Sequence, residues 1–203
     1  AVTNSSGTNT THFSVIDKYG NRVASTLSIN LPFGSGFVVE GTGVLLNNEM
    51  DDFTIKPFTA NTYGLVGYQA NTIHPGKRPL SSMTPTFVES DDRIGILGTP
   101  GGSRIISMVL LAVLDFAEGE LPESWVNLPR YHHQYIPDLV QYEKGGLSKD
   151  EKRKLILKGH KLKEIKRRYG NMQAIMLWKS RNINFVASDP RGEGTAEIIN
   201  FYQ

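Results

Sequence analysis

Polar and apolar side chains alternate from Thr11 to Asp17, break at Tyr19-Gly20-Asn21, and alternate again from Arg22 to Asn30. A period of two puts every second side chain on one face of a strand, so the two runs predict an antiparallel hairpin turning at Gly20. Val23, Leu27 and Ile29 are the expected inward positions. Thr10 then lies at the edge of a sheet. A lone hairpin is marginal in water, so the rest of the chain must supply something for it to pack against. Ahead of it, Ala1 to Asn9 are small and polar and read as the end of a linker.

The remaining pattern is mixed. Phe33-Gly34-Ser35-Gly36 and Glu40-Gly41-Thr42-Gly43 are points where the backbone can turn sharply, and an irregular polar segment follows to about Asn61. Thr84 to Glu89 and Arg93 to Leu97 predict a second strand pair. Gly98 to Gly102 then turns into a helix whose apolar face uses Ile105, Met108, Val109, Ala112 and Phe116. Ser148 and Glu151 match a capping box that opens a helix ending near Gly159. Gln173 to Leu177 and Asn184 to Ala187 are the expected final strands. Paired sheets with helices outside agree with this order, as do several other α+β arrangements.

Charge and composition narrow the function classes. At 203 residues with a net charge of +2, the chain can bury a core and carries no field that favours nucleic acid or anionic lipid. The Lys/Arg-rich stretch from Lys152 to Arg168 is interleaved with Glu164, Leu155, Leu162 and Ile165, so it reads as an amphipathic surface element. With no cysteine there is no disulfide and no thiolate metal site. The longest apolar stretch, Met108 to Phe116, is interrupted by Asp115 and is far too short to span a bilayer.

Three glycine- and polar-rich clusters follow the hairpin, at Asn47 to Phe53, Pro79 to Met83 and Gly98 to Arg104. Taken with Thr10 they suggest an N-terminal threonine nucleophile beside a site for a small charged amide. A threonine hydroxyl needs a base, and a freed α-amino group with a pKa near ~8 can take its proton at neutral pH. The stretches Thr10-Thr11-His12-Phe13-Ser14-Val15, Gly43 to Phe53, Lys77 to Thr86 and Gly98 to Ile106 carry a resemblance in their joint order. With Pro129 to Gln134 and Ser188 to Arg191, they resemble the small catalytic subunit of γ-glutamyltranspeptidase over nearly everything from Thr10 onward.

That resemblance implies an α+β fold, the four-layer αββα sandwich of N-terminal nucleophile hydrolases, completed by a large subunit from the same precursor. It implies Thr10 as nucleophile, with Ser28 standing where the family places a threonine hydroxyl near the nucleophile's amine. Asn30, Glu49 and Asp52 match the positions that bind a substrate α-ammonium, and Glu49 is glutamine in some members. Ser81 and Ser82 match the carboxylate binders, Gly101 and Gly102 the oxyanion hole, and Tyr63 a lid-loop tyrosine. An arginine for the substrate carboxylate is implied on the large subunit. The chemistry needs no metal and no cofactor, and the family implies a periplasmic or extracellular location.

Each residue also has a plainer reading. Ser28 alone is a strand serine, the Asn-Asn-Glu-Met-Asp-Asp run a solvated turn, and the tandem serines ordinary loop residues. The acidic run lacks calcium-loop spacing, and the glycine turn lacks the phosphate-loop lysine. His12, His132 and His133 take structural roles, since the threonine's own amine can serve as base.

The family pattern divides the chain into a pre-nucleophile segment, 1–9, and a catalytic domain, 10–203. With residues 1 to 9 attached, Thr10 carries an amide in place of a free amine, so low activity is expected until the Asn9–Thr10 bond is cut. The expected activity is hydrolysis or transfer of γ-glutamyl groups, with glutathione as the natural candidate. The alternatives are a glutaryl acylase, a poly-γ-glutamate capsule depolymerase, or a catalytically silent subunit. Glutaryl lacks the ammonium, so Asp52 favours glutamyl. Apolar surface left by an absent large subunit is expected to make the chain aggregation-prone.

Overall fold

The computed structural model describes residues 10–199. The expectations placed on Ala1 to Asn9 lie outside the described residues.

The hairpin forms as β1 (Thr11–Ile16) and β2 (Arg22–Leu27), antiparallel, with Thr11 opposite Leu27 and Val15 opposite Val23. Asp17 organises the turn by accepting from the backbone N–H groups of Tyr19 and Asn21, both at 2.8 Å. The expected inward face is corrected. Val23 and Leu27 are 46% and 53% exposed, on the same face as Phe13 and Val15, while His12 is buried opposite Thr26. The strand also ends at Leu27, so Ile29 belongs to the bend beyond it.

Two short strands, β3 (Val38–Val39) and β4 (Val44–Leu45), pair across the Glu40 to Gly43 turn. The irregular path then continues past Asn61 as far as Met83. β5 (Thr86–Glu89) and β6 (Arg93–Gly98) form the second pair. The helix α1 (Ile105–Glu118) follows, and its buried residues are the five expected, Ile105, Met108, Val109, Ala112 and Phe116. Gly119, at φ +102, ends it in the left-handed conformation that a side chain would resist.

Helix α2 (Pro122–Asn127), with proline at its first position, and strands β7 (Tyr131–His132), β8 (Val140–Tyr142) and β9 (Leu162–Glu164) had no strong pattern in the sequence. The α3 helix (Lys149–Leu157) carries the full capping box, Ser148 accepting from the Glu151 N–H and Glu151 from the Ser148 N–H. Its basic residues are drawn into surface pairs, Lys154 with Asp150 at 2.6 Å and Lys152 with Glu164 at 3.8 Å. The last strands are β10 (Gln173–Trp178) and β11 (Ile183–Ser188).

Sheet order β11-β10-β6-β5, all antiparallel, forms the centre. Alternation along β6 sorts its two faces. Leu97 joins α1, α2 and β10 in the core around Trp125, Met172 and Met176. A Cβ on Gly95 would come within 3.2 Å of the Trp125 ring, so that face admits no side chain there. Gly98 points to the hairpin, where a Cβ would sit 2.3 Å from the His12 ring. Helices, central sheet and hairpin are thus three stacked layers.

Behind the core a buried charge group ties the C-terminal turn down. Arg130 donates to Asp189 and to the Tyr169 carbonyl, and Arg191 bonds Asp189 at 3.1 Å and Glu143 at 2.8 Å. Two cations and two carboxylates balance, which is the condition for charges to be tolerated in an interior.

Candidate active site

Register places Thr10 beside Ser28. Since Thr11 pairs with Leu27, the next residues outward on the two strands are Thr10 and Ser28, and their hydroxyl oxygens lie 2.9 Å apart. Ser28 Oγ also accepts the Asn30 backbone N–H at 2.8 Å. Asn30 takes φ +70, a left-handed conformation that asparagine tolerates better than most residues. Its amide nitrogen donates to the Asn48 carbonyl at 3.1 Å, and Asn30 lines the cavity.

Asn48 links this bend to the acidic turn. Its side-chain oxygen accepts the Leu31 N–H at 3.0 Å, and the tight turn Glu49–Asp52 starts at the next residue. Asn71 then joins the acidic turn to the serines, donating to the Asp52 carbonyl at 2.8 Å and accepting the Leu80 N–H at 2.9 Å. The turn after β6 brings in Gly101 and Gly102 from the sheet beneath.

One cavity is therefore lined by Thr10, Ser28, Asn30, Glu49, Asp52, Tyr63, Ser81, Ser82 and Gly102, together with Leu65, Met83, Ser103 and Ile105. Gly101 alone of the expected residues is off the wall. At φ +150 it sits behind Gly102, where a Cβ would meet the Met108 methyl at 2.6 Å. Tyr63 lines the cavity, its ring so close to Gly102 that a Cβ there would lie 2.8 Å away, and its hydroxyl donates to the Asn30 carbonyl at 3.1 Å. A larger cavity runs behind the acidic turn past Phe53, Tyr68 and Leu80, sharing Asp52 and Leu65, but Thr10, Ser28, Ser81 and Ser82 do not line it.

The electrostatics single out the acidic end. Burial raises the pKa of Glu49, and the neighbouring Asp52 charge and a hydrogen bond to Asp52 push it the same way. Burial also raises Asp52, with the charge of Asp51 adding and the Glu49 hydrogen bond opposing. Both carboxyls are thus held above the usual carboxylate range, Glu49 with every influence concurring and Asp52 against an opposing hydrogen bond. One Glu49 oxygen is buried without a hydrogen-bond partner among the described residues. Such a pair is poised for a cation.

The histidines stand apart from this chemistry. His12 is 4% exposed, bonded to Thr26 at 2.8 Å and Ser14 at 3.0 Å, and burial lowers its pKa to about 4. His132 is buried and its pKa is also lowered, first by burial. His133 pairs with Asp138 at the surface, 2.8 Å away. No group of three His, Asp or Glu residues is placed to hold a metal ion among the described residues.

This arrangement can be compared with known proteins. The profile of the family described as Gamma-glutamyltranspeptidase matches residues 1–199. The chain belongs to the gamma-glutamyltranspeptidase family. It is 47% identical over 184 residues to the glutathione hydrolase proenzyme of Escherichia coli K12, covering 90% of this chain and 31% of that protein. With the proenzyme of Pseudomonas aeruginosa the identity is 42% over 194 residues, covering 94% and 34%. The chain therefore spans about a third of the length of these gamma-glutamyltranspeptidase relatives, 31% and 34%.

Among solved structures, a mutant Helicobacter pylori gamma-glutamyltranspeptidase superposes with a TM-score of 0.83 at 42% identity, over 90% of this chain and all of that one. The Bacillus anthracis transpeptidase enzyme CapD follows at 0.71 and 26%, covering 93% and 99%. The fold is accordingly the α+β sandwich of N-terminal nucleophile hydrolases, of whose four layers the three described above lie within the described residues. Several residues to which the sequence assigned no role hold the cavity together. Asn48, Ser103 and Gln134 lie within the stretches that carry the resemblance without having been given a part in the site, and Asn71 lies outside those stretches.

Proposed function

We propose that this chain is the catalytic part of a γ-glutamyl hydrolase and transferase that acts on glutathione and related γ-glutamyl amides. The observation that carries the reading is the convergence on one cavity of a hydroxyl pair, Thr10 and Ser28, and a carboxyl pair, Glu49 and Asp52. A γ-glutamyl group has the matching shape. Its α-ammonium meets Asn30, Glu49 and Asp52, its α-carboxylate meets the Ser81 and Ser82 hydroxyls, and its γ-carbonyl reaches Thr10.

Cleavage between Asn9 and Thr10, separating segment 1–9 from domain 10–203, frees the Thr10 amine. That amine takes the hydroxyl proton as Oγ1 bonds to the γ-carbon, with Ser28 holding the amine and hydroxyl in place. The resulting oxyanion is held by the backbone N–H of Gly102 on the cavity wall and, from the turn behind it, that of Gly101, a contribution of roughly 3 to 4 kcal/mol per donor in comparable enzymes. Collapse expels the leaving amine, which picks up the proton, and leaves a γ-glutamyl ester on Thr10. Water or the amine of an amino acid then attacks the ester and regenerates the hydroxyl.

A second subunit is part of this proposal. The hairpin buries its polar face, with His12 and Thr26, and exposes the apolar one, with Phe13, Val15, Val23 and Leu27. α1 likewise exposes Ile106, Leu110 and Leu114 on the side away from its core. Both faces call for cover, and relatives named as proenzymes are about three times as long as this chain, which spans 31% of one. The cover is the large subunit from the same precursor, which also supplies the arginine for the substrate carboxylate. Among the described residues no helix is long and apolar enough to cross a membrane, and a periplasmic or extracellular site of action follows the family.

Turnover of γ-glutamyl and glutaryl anilides by enzyme processed from the full precursor tests the reading. The γ-glutamyl compound should be strongly preferred, because only it pairs with Glu49 and Asp52. Equal rates on the two would remove the ammonium site from the scheme.

A further inference from the structure

Gln134 lies in the loop after β7, outside the cavity wall, yet both ends of its amide are fully engaged. The nitrogen donates to the Tyr63 carbonyl at 3.0 Å and the Ile136 carbonyl at 2.6 Å. The oxygen accepts from the Ser103 hydroxyl at 2.7 Å and lies 2.8 Å from His132 Nε2. Carbonyls cannot donate, so the two bonds at the nitrogen fix which way the amide points. His132 must then carry its proton on Nε2, and its Nδ1 accepts from the Ser107 hydroxyl at 2.7 Å.

Glycines allow this fit on both sides. Gly64 has φ +75, and a Cβ there would lie 2.8 Å from the Ile136 oxygen and 3.0 Å from the Gln134 nitrogen. A Cβ on Gly102 would strike the Tyr63 ring at 2.8 Å. The Tyr63–Gly64 segment is thus clamped between the Gly101–Gly102–Ser103 turn and the Gln134 amide.

We infer that Gln134 is a positioning residue, one amide that holds Tyr63 in place on the cavity wall and at the same time fixes Ser103 beside the glycine turn. Its consequence for turnover rests on the γ-glutamyl reading; the anchoring does not. Polarity separates this role from simple packing. Gln134→Glu keeps the shape and both accepted bonds but sets carboxylate oxygens against the Tyr63 and Ile136 carbonyls. Gln134→Met keeps the length and removes all four bonds.

The test uses enzyme processed from the full precursor and compares both variants by hydrogen exchange and steady-state kinetics. Backbone amides between 59 and 66 should exchange about tenfold faster or more in both, with α1 unchanged. The KM for a γ-glutamyl anilide should rise about tenfold, the loss expected for one buried hydrogen bond, with kcat altered by less than about threefold. Tyr63→Ala combined with Gln134→Glu should be no worse than Tyr63→Ala alone, since both act through the placement of the Tyr63 side chain. Unchanged exchange at 59–66, or effects that multiply in the double variant, would overturn the inference. If the parent enzyme fails to turn over γ-glutamyl amides, the functional reading falls, and the exchange data still decide the anchoring.

Discussion

Thr10 Oγ1 and Ser28 Oγ stand 2.9 Å apart, and the same Ser28 oxygen accepts the Asn30 backbone N–H at 2.8 Å. One hydroxyl thus orients the proposed nucleophile and pins the bend that carries Asn30, a proposed ammonium ligand. Ser28→Ala removes both bonds and leaves the Asn30 N–H unpaired, at a cost of about 1 to 3 kcal/mol. The expected result is a fall in kcat of about tenfold to a hundredfold with a modest drop in Tm. Ser28→Thr should retain activity, because the hydroxyl stays and only a methyl is added.

Glu49 and Asp52 share a cavity wall, and burial raises both pKa values. Binding an ammonium requires them ionised, so donor affinity should be complete above the raised values and weaken as pH falls through them. The sign for stability is opposite. A carboxyl raised above its unfolded value stabilises the fold when protonated and loses that contribution as pH rises, so two charged neighbours burden the fold at neutral pH. Glu49→Gln should therefore raise Tm at pH 7 while raising donor KM by about fivefold, the difference between a charge-assisted and a neutral hydrogen bond. Thermal scans and KM against pH on the two proteins check both signs.

His12 supplies an acid limit. Its pKa falls from 6.5 unfolded to about 4 in the fold, with burial as the cause. Between those values the unfolded chain binds a proton that the folded one excludes, so stability declines as pH drops from 6.5 toward 4 and levels off below. The shift corresponds to roughly 3 kcal/mol at most. Denaturant midpoints across this window should slope in the parent protein, and His12→Gln should flatten that slope.

Asp189 accepts from Arg130 and Arg191, whose side chains are both buried. Asp189→Ala strands two guanidinium groups whose remaining carboxylate is Glu143, and costs about 3 to 5 kcal/mol. Chemical denaturation should show a loss of that size, without any direct effect at the cavity. A change below about 1 kcal/mol would mean the charge group is solvated.

The sequence made much of this legible, for physical reasons that differ by element. The α1 face was readable because five apolar residues at helical spacing meet a core within the same chain. The hairpin pairing was readable from its period of two, but its faces were not, because His12 and Thr26 satisfy each other inside while Val23 and Leu27 remain outside. Hydrophobicity names the face that wants cover; it does not say which chain provides it. At the site, ordered motifs located the residues on the cavity wall. They did not include Asn71, and although Gln134 ends one of them its bonds were not foreseen, because side-chain bonds to distant carbonyls leave no periodic trace.

The most direct test is on Thr10 itself. Enzyme processed from the full precursor would be incubated with a γ-glutamyl anilide, quenched during the first turnover, and mapped by peptide mass spectrometry. A chain beginning at Thr10 with the γ-glutamyl mass on that residue, and a Thr10→Ala protein that neither acquires the mass nor releases aniline, is the expected result. Undiminished aniline release by Thr10→Ala, or a γ-glutamyl mass on another residue, would contradict it.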